Sequence, residues 1–176
     1  MTRLACAFTG HRPKKFPWGY NEDDPGCKRL KELLEQELLF LVQKGYTDFL
    51  SGMAEGTDTW AALMVLKLRD TYPKVKLHCI LPCKSQADHW NSSAQICYRS
   101  VLEQADSIIY VSREYHRNCM LERNRFLVDH AHLILAVYNR ELRGGTACTV
   151  RYAIKEEKKV LLIDPTYDLG KDGVTI

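Results

Sequence analysis

Short apolar runs alternate along the chain with longer stretches in which apolar positions recur at helical spacing. LACAFT at 4–9 reads as a strand, and Leu30, Leu33, Leu34, Leu38 and Leu41 then follow the i, i+3, i+4 rhythm of an amphipathic helix over 27–44. TDFLS at 47–51 is the next strand. Thr57 or Asp58 supplies a capping side chain for a helix that runs through WAALMVLKLRD. KLHCILP at 76–82 has the unbroken apolar centre of a strand buried on both faces. A helix follows over 86–104 with Trp90, Ile96, Val101 and Leu102 turned inward, then a strand SIIYVS at 107–112 and a helix over 118–130. LILAVY at 133–138, a helix over 146–157 and VLLID at 160–164 complete the pattern.

Strand and helix alternate throughout, which predicts a mostly parallel sheet with helices on both faces, a Rossmann-like three-layer α/β/α sandwich. With 176 residues, no internal repeat and no Pro/Gly/Ser-rich linker, a single domain over 1–176 is expected. The segment after Pro165 is polar and glycine-containing and is expected at the periphery.

Composition narrows the function classes. The net charge of +3 is spread among interspersed acids and bases, which argues against a nucleic-acid or membrane-surface protein. No apolar stretch approaches the roughly 20 residues of a membrane span, and LACAF follows the N-terminus without a signal-peptide apolar region, so a cytoplasmic protein is expected. The seven cysteines are scattered; Cys6, Cys79 and Cys148 sit in apolar runs and read as small buried hydrophobes in a reducing compartment, without a disulfide framework. Cys79 and Cys83 flank ILP and form no zinc knuckle. Asp129, His130 and His132 read as a polar helix end leading into a strand, so no metal site is expected.

The candidate chemistry lies in three turns, FTGHRP at 8–13, SGMAEGTD at 51–58 and RGGT at 143–146. In a parallel α/β sheet such turns gather along the carboxyl edge, where ligands bind. Gly52 and Gly56 permit a tight turn that exposes backbone N–H groups, and the helix beginning at once adds the positive end of its dipole, a welcome place for an anion. The candidate ligand-binding residues there are Ser51, Gly52, Met53, Ala54, Glu55, Gly56, Thr57 and Asp58. Gly144 and Gly145 repeat the arrangement before Thr146, with Arg143 adding charge. In the first turn Gly10 ends the strand, and His11 and Arg12 offer side-chain donors, the guanidinium suited to gripping a phosphate by two hydrogen bonds. Trp18, Tyr20, Trp60 and Trp90 are aromatics of the right kind to stack on a base, but their spacing reads more simply as core or rim. The chain carries no G-x-G-x-x-G after the first strand, no G-x-x-x-x-G-K-[ST] and no G-x-S-x-G, which argues against an ordinary dehydrogenase, NTPase or serine hydrolase.

FTGHRP, SGMAEGTD, the Gln86 to Trp90 spacing, the Arg123–Asn124 pair and GGT at 144–146 together resemble the YpsA-like family of small bacterial proteins. That family lies in the SLOG superfamily, named for the Smf/DprA and Lonely Guy (LOG) proteins. The resemblance spans nearly the whole chain and implies a Rossmann-like fold that binds nucleotides or nucleotide-derived ligands, with Arg123 and Asn124 joining the site. SGMAEGTDTWAA is similar to the Ser-Gly-Leu-Ala-Arg-Gly-Ile-Asp stretch of DprA-type proteins, with Glu55 in place of an arginine that suits a nucleic-acid phosphate. LOG phosphoribohydrolases carry an arginine followed by lysine and a Pro-Gly-Gly-x-Gly-Thr-x-x-Glu motif. Arg123 matches the arginine and Asn124 departs from the lysine; Gly144 and Gly145 match the glycines, while Arg143 stands for the proline, Ala147 and Cys148 for Gly-Thr, and Val150 or Arg151 for the catalytic glutamate.

Cleaving an N-glycosidic bond needs a carboxylate, so the loss points to holding a ligand more than breaking it. The leading expectation is a binding protein or sensor for a small nucleotide-like molecule, related to ADP-ribose, with no cofactor required. One alternative is an N-glycosidic hydrolase with Glu55, or Glu122, as a substitute carboxylate. Another is a single-stranded nucleic-acid or protein interaction module of the DprA type, against which charge and Glu55 argue. By analogy with this fold a homodimer is a candidate assembly.

Overall fold

β1 (Leu4–Gly10) occupies the middle of the sheet because its apolar run has neighbours to bury it on both faces. The computed structural model describes residues 3–166 and the backbone of 174–175. The other strands are β2 (Tyr46–Ser51), β3 (Lys76–Leu81), β4 (Ser107–Tyr110), β5 (Leu133–Val137), β6 (Lys159–Ile163) and β7 (Val174–Thr175), in the order β4-β3-β2-β1-β5-β6-β7. β1 through β6 pair in parallel, with Ala7 opposite Leu50 on one side and Ile134 on the other. β7, which the sequence pattern did not reveal, pairs antiparallel with β6. Residues 167–173 of the expected peripheral segment lie outside the described residues.

α1 (Pro25–Gln43), α2 (Thr57–Leu68) and α3 (Ser92–Gln104) pack on one face, where Leu30, Leu34 and Leu38 meet Phe8, Phe49 and Leu77. α4 (Cys119–Asp129) and α5 (Gly145–Lys155) cover the other, where Leu127, Val128, Val150 and Ala153 meet Ala7, Leu50 and Ile134. This is the expected Rossmann-like three-layer sandwich. Successive strands run outward from β1 to β4, and the chain then crosses back to β5 on the other side of β1. The carboxyl ends of β1 and β5 therefore flank a topological switch point, where open α/β sheets form their ligand crevice.

Several local expectations are corrected. Neither Thr57 nor Asp58 caps α2: Gly56 is the N-cap, while Thr57 Oγ1 donates to His11 O at 3.2 Å and Asp58 Oδ2 accepts the Ala54 N–H at 3.3 Å. α3 starts at Ser92 rather than 86 because Asn91 caps it, accepting the Ala94 N–H at 2.9 Å, and because Gln86 is used elsewhere. Its amide donates to Gly52 O at 3.0 Å and Met53 O at 2.9 Å, which holds the preceding segment in turns. Ile96 is 61% exposed, and Tyr98 with Val101 fills the inward face instead. Cys148 is exposed, whereas Cys6, Cys27, Cys79, Cys83 and Cys119 are buried thiols. Trp60 is buried against Phe16, and Phe16 stacks in turn on Trp18, so these rings serve the core. His132 Nδ1 accepts the Ala5 N–H at 3.1 Å and Asp129 accepts from Tyr152 Oη at 2.9 Å, a structural pinning of the helix end. Among the described residues no helix is long and apolar enough to cross a membrane.

Candidate functional site

A cavity of about 310 Å³ opens at the switch point, walled by the turn after β1, the loop between β5 and α5, and the first turn of α4. The turn after β1 is locked against the turn after β2 by glycines. A Cβ at Gly10 would lie 2.4 Å from Thr57 Oγ1, and one at Gly56, whose φ is +87°, would lie 2.9 Å from His11 O. The turns meet at Gly10 through the Thr57 side chain and at Gly56 through the His11 carbonyl.

His11 is 6% exposed, and its Nε2 lies 2.8 Å from Asn139 Oδ1 and 3.2 Å from Asn139 N. Asn139 Nδ2 donates to Glu141 Oε1 at 3.1 Å, and Lys15 Nζ donates to Glu141 Oε2 at 2.9 Å. This relay ties the β1 turn to the β5–α5 loop across the cavity mouth. The bonds from Lys15 and Asn139 hold the Glu141 carboxyl below its ordinary range.

Arg123 enters from α4 and is only 5% exposed. Its Nη1 donates to Gly52 O and lies 3.6 Å from Asp58 Oδ2, while Nε is buried without a partner among the described residues. Burial raises the Asp58 carboxyl above its usual range, against the pull of Arg123, the Ala54 N–H and Arg12. Burial lowers the Arg123 guanidinium against the opposing attraction of Asp58. Gly52 is required by this packing, because a Cβ there would fall 1.6 Å from Arg123 Nη1.

The opposite wall is open. Gly144, with φ +114°, is the N-cap of α5 and offers no capping side chain, and a Cβ built on it would meet nothing within 4 Å. The first-turn N–H groups of α5 have no intrahelical acceptor and carry the positive end of the helix dipole. Arg12, Lys14 and Arg143 line the same cavity with no ion-pair partner among the described residues. The cavity is thus cationic, and both its carboxylates, Asp58 and Glu141, are engaged by cations.

A sequence profile of the YspA SLOG family matches residues 6–166, a span that contains every element of this cavity. The chain belongs to the YspA SLOG family. A UPF0398 protein of Bacillus pumilus is 31% identical over 153 residues, covering 85% of this chain and 79% of that protein. A UPF0398 protein of Brevibacillus brevis is 33% identical over 140 residues, covering 78% and 74%. Two solved structures share the fold of this YspA-family chain. DNA processing protein A from Helicobacter pylori, described for its single-stranded DNA binding mode, aligns with TM-score 0.59 at 18% identity over 96% of this chain and 72% of that one. The molybdenum cofactor carrier protein of Chlamydomonas reinhardtii aligns with TM-score 0.51 at 16% identity over 92% and 76%.

The SLOG motifs separate into two groups. Gly10, His11, Arg12, Ala54, Asp58, Arg123, Asn124, Gly144, Gly145 and Thr146 line the cavity. Ser51, Gly52, Met53, Glu55, Gly56 and Thr57 do not. Ser51 Oγ instead donates to Asp58 O at 2.9 Å and accepts the Met53 N–H at 3.1 Å, which braces the turn from behind. Glu55 stands outside the lining of this cavity, and Glu122 lies 3.3 Å from His116 Nε2. Val150 is buried in the sheet-facing core, and Arg151 Nη1 donates to Leu142 O at 2.5 Å. The motif reading missed Lys14, Lys15, Asn139 and Glu141. The two lysines follow GHRP directly, and a basic pair beside a phosphate-type turn was the available signal.

Proposed function

We propose that this protein binds a small phosphate-bearing, nucleotide-like ligand of the ADP-ribose kind at the switch-point cavity and does not cleave it. The observation that carries this reading is the open first turn of α5, with bare Gly144 and Gly145, facing Arg12, Lys14 and Arg143, which have no ion-pair partner among the described residues. Backbone donors with a helix dipole and flanking guanidiniums are a recurrent cradle for phosphate. The volume of about 310 Å³ is at the lower end of small-ligand pockets and suits a mononucleotide-sized portion. Val150 and Arg151 stand where a phosphoribohydrolase carries its glutamate, and Asp58 and Glu141 are held by Arg123 and Lys15, which supports holding over hydrolysis. The fold is shared with a cofactor carrier protein, in keeping with this role.

Calorimetry against nucleoside monophosphates, NAD and ADP-ribose tests the reading. Binding of at least one, weakened in Arg12→Ala and with no free base released on incubation, is the expected result. A panel that gives no heat at millimolar ligand overturns it.

A second reading is favoured by the likeness to a protein described as binding single-stranded DNA, together with the cationic mouth of the cavity. In that case a strand end enters the same cleft. Affinity for an oligonucleotide would fall steeply with salt, whereas a mononucleotide held by backbone N–H groups loses far less.

A further inference from the structure

On the α4/α5 face of the sheet, beyond the helices' cover and toward the amino ends of β2, β3 and β4, lies a separate groove of about 300 Å³. Asp48, His78 and Ser107 stand on these three adjacent strands and meet inside it. His78 Nε2 lies 2.9 Å from Asp48 Oδ1, and His78 Nδ1 lies 2.8 Å from Ser107 Oγ. Register places Ser107 directly opposite His78 across the β3–β4 ladder, so the strands themselves fix the contact. The His78 and Asp48 side chains are 22% and 14% exposed, and Ser107 is half-buried, so the chain of groups is sheltered yet reachable.

The proton positions follow from the partners. Thr47 Oγ1 donates to Asp48 Oδ2 at 2.7 Å, and burial, which works to raise the Asp48 carboxyl, is outweighed by the bonds from Thr47 and His78 that bring it below the ordinary carboxylate value. An ionised Asp48 only accepts, so Nε2 carries the ring proton and Nδ1 presents its lone pair to the Ser107 hydroxyl. A nucleophile bonded to a base that is oriented by a sheltered carboxylate is the arrangement that activates serine, whatever the fold.

We propose that Ser107, His78 and Asp48 form a second, acyl-transfer site that takes small apolar carboxylic esters. Ser107 Oγ attacks the ester carbonyl carbon while its proton passes to His78 Nδ1. The tetrahedral adduct then collapses, breaking the bond to the leaving alkoxide, which takes that proton. Water repeats the sequence on the acyl-serine, releasing the carboxylic acid and restoring the hydroxyl. Asp48 is the positioning residue, holding the tautomer. Leu50, Ile80, Ile109 and Phe126 line the groove and account for an apolar acyl group. His132 shares the rim on the β1 side, where its Nδ1 accepts the Ala5 N–H. The other titratable groups around the ring are Arg3 and His130 on the rim and Lys76, two residues before His78 on the same strand face.

The test treats the whole protein with a fluorophosphonate probe and with p-nitrophenyl butyrate. The expected result is a single covalent adduct mapped by peptide mass spectrometry to Ser107, with ester turnover that disappears in Ser107→Ala. His78→Gln slows acylation about 10²–10⁴-fold, the usual share of a general base. Asp48→Asn shifts the midpoint of the pH–rate profile, which loss of a merely structural bond would not do. Thermal unfolding of each variant separates lost chemistry from lost fold. Absence of a Ser107 adduct on the unmodified protein, under conditions that label a serine esterase control, overturns the proposal without reference to any variant. So does labelling that persists at an unchanged rate in a folded His78→Gln.

Discussion

Replacing Gly52 by alanine tests the central packing claim, that the turn after β2 exists to seat the Arg123–Asp58 pair. The added Cβ would lie 1.6 Å from Arg123 Nη1, 2.5 Å from its Cζ and 2.9 Å from Asp58 Oδ2. No side chain accommodates such distances, so the Arg123 guanidinium must shift toward the cavity it lines. The guanidinium must leave Gly52 O and Asp58, and breaking a buried pair of this kind costs about 3–5 kcal/mol. Alanine returns about 0.4–1 kcal/mol by restricting the unfolded chain. The net loss is then about 2–4 kcal/mol. For a chain of this size that lowers the midpoint of thermal unfolding by roughly 5–15 °C. Calorimetric and urea unfolding of Gly52→Ala, Arg123→Met and the double variant measure it. The double variant should be more stable than the summed single losses by over ~1 kcal/mol, because the clash disappears with the guanidinium. Gly145→Ala is the control, since its Cβ meets only Asn124 Nδ2 at 4.0 Å. A Gly52→Ala protein within ~0.5 kcal/mol of the parent, or strict additivity in the cycle, would refute the reasoning.

Gly144→Ala places a Cβ in a conformation, φ +114° and ψ 169°, that only glycine adopts readily, and should cost about 1–3 kcal/mol in urea unfolding while Gly145→Ala stays near neutral. Arg12→Ala and Arg143→Ala leave stability unchanged within ~0.5 kcal/mol but weaken a phosphate-bearing ligand roughly 10- to 150-fold each by calorimetry, the worth of one charge-assisted bond. Asp48 and Glu22 have folded-state carboxyls below their ordinary values, Glu22 through Lys31 and Trp60 against the effect of burial. A depressed carboxyl stabilises the fold above its unfolded value and loses that contribution as pH falls through the folded value. The stability gap between the parent and Asp48→Asn, followed by urea unfolding, should therefore shrink as pH falls below about 5.

The strand and helix alternation was legible because each element carries its own period, and five buried leucines at helical spacing in α1 admit no other reading. The two-residue β7 was not, since a strand so short has no period to detect. The start of α3 was misplaced for a different reason: residues 86–91 are spent on Gln86 reaching back to Gly52 and Met53, a long-range bond invisible to local pattern. The site shows the same limit more sharply. Glycine marks a place where a side chain does not fit, but not what occupies the space. At Gly10, Gly52 and Gly56 the occupant is the protein itself, in Thr57, Arg123 and the His11 carbonyl, whereas at Gly144 the space is open. The conformational requirement separates them no better, because Gly56 and Gly144 both have positive φ. What does separate them is the second body: the turn after β2 has the turn after β1 and α4 packed on it, and the α5 turn faces the open cavity, with Arg12, Lys14 and Arg143 in its lining. An anion entering this cavity therefore finds its free donors on the α5 side, while the SGMAEGTD turn acts from behind by holding Arg123 in place. The two turns should accordingly fail differently when mutated, Gly52 through stability and Gly144 through ligand affinity as well.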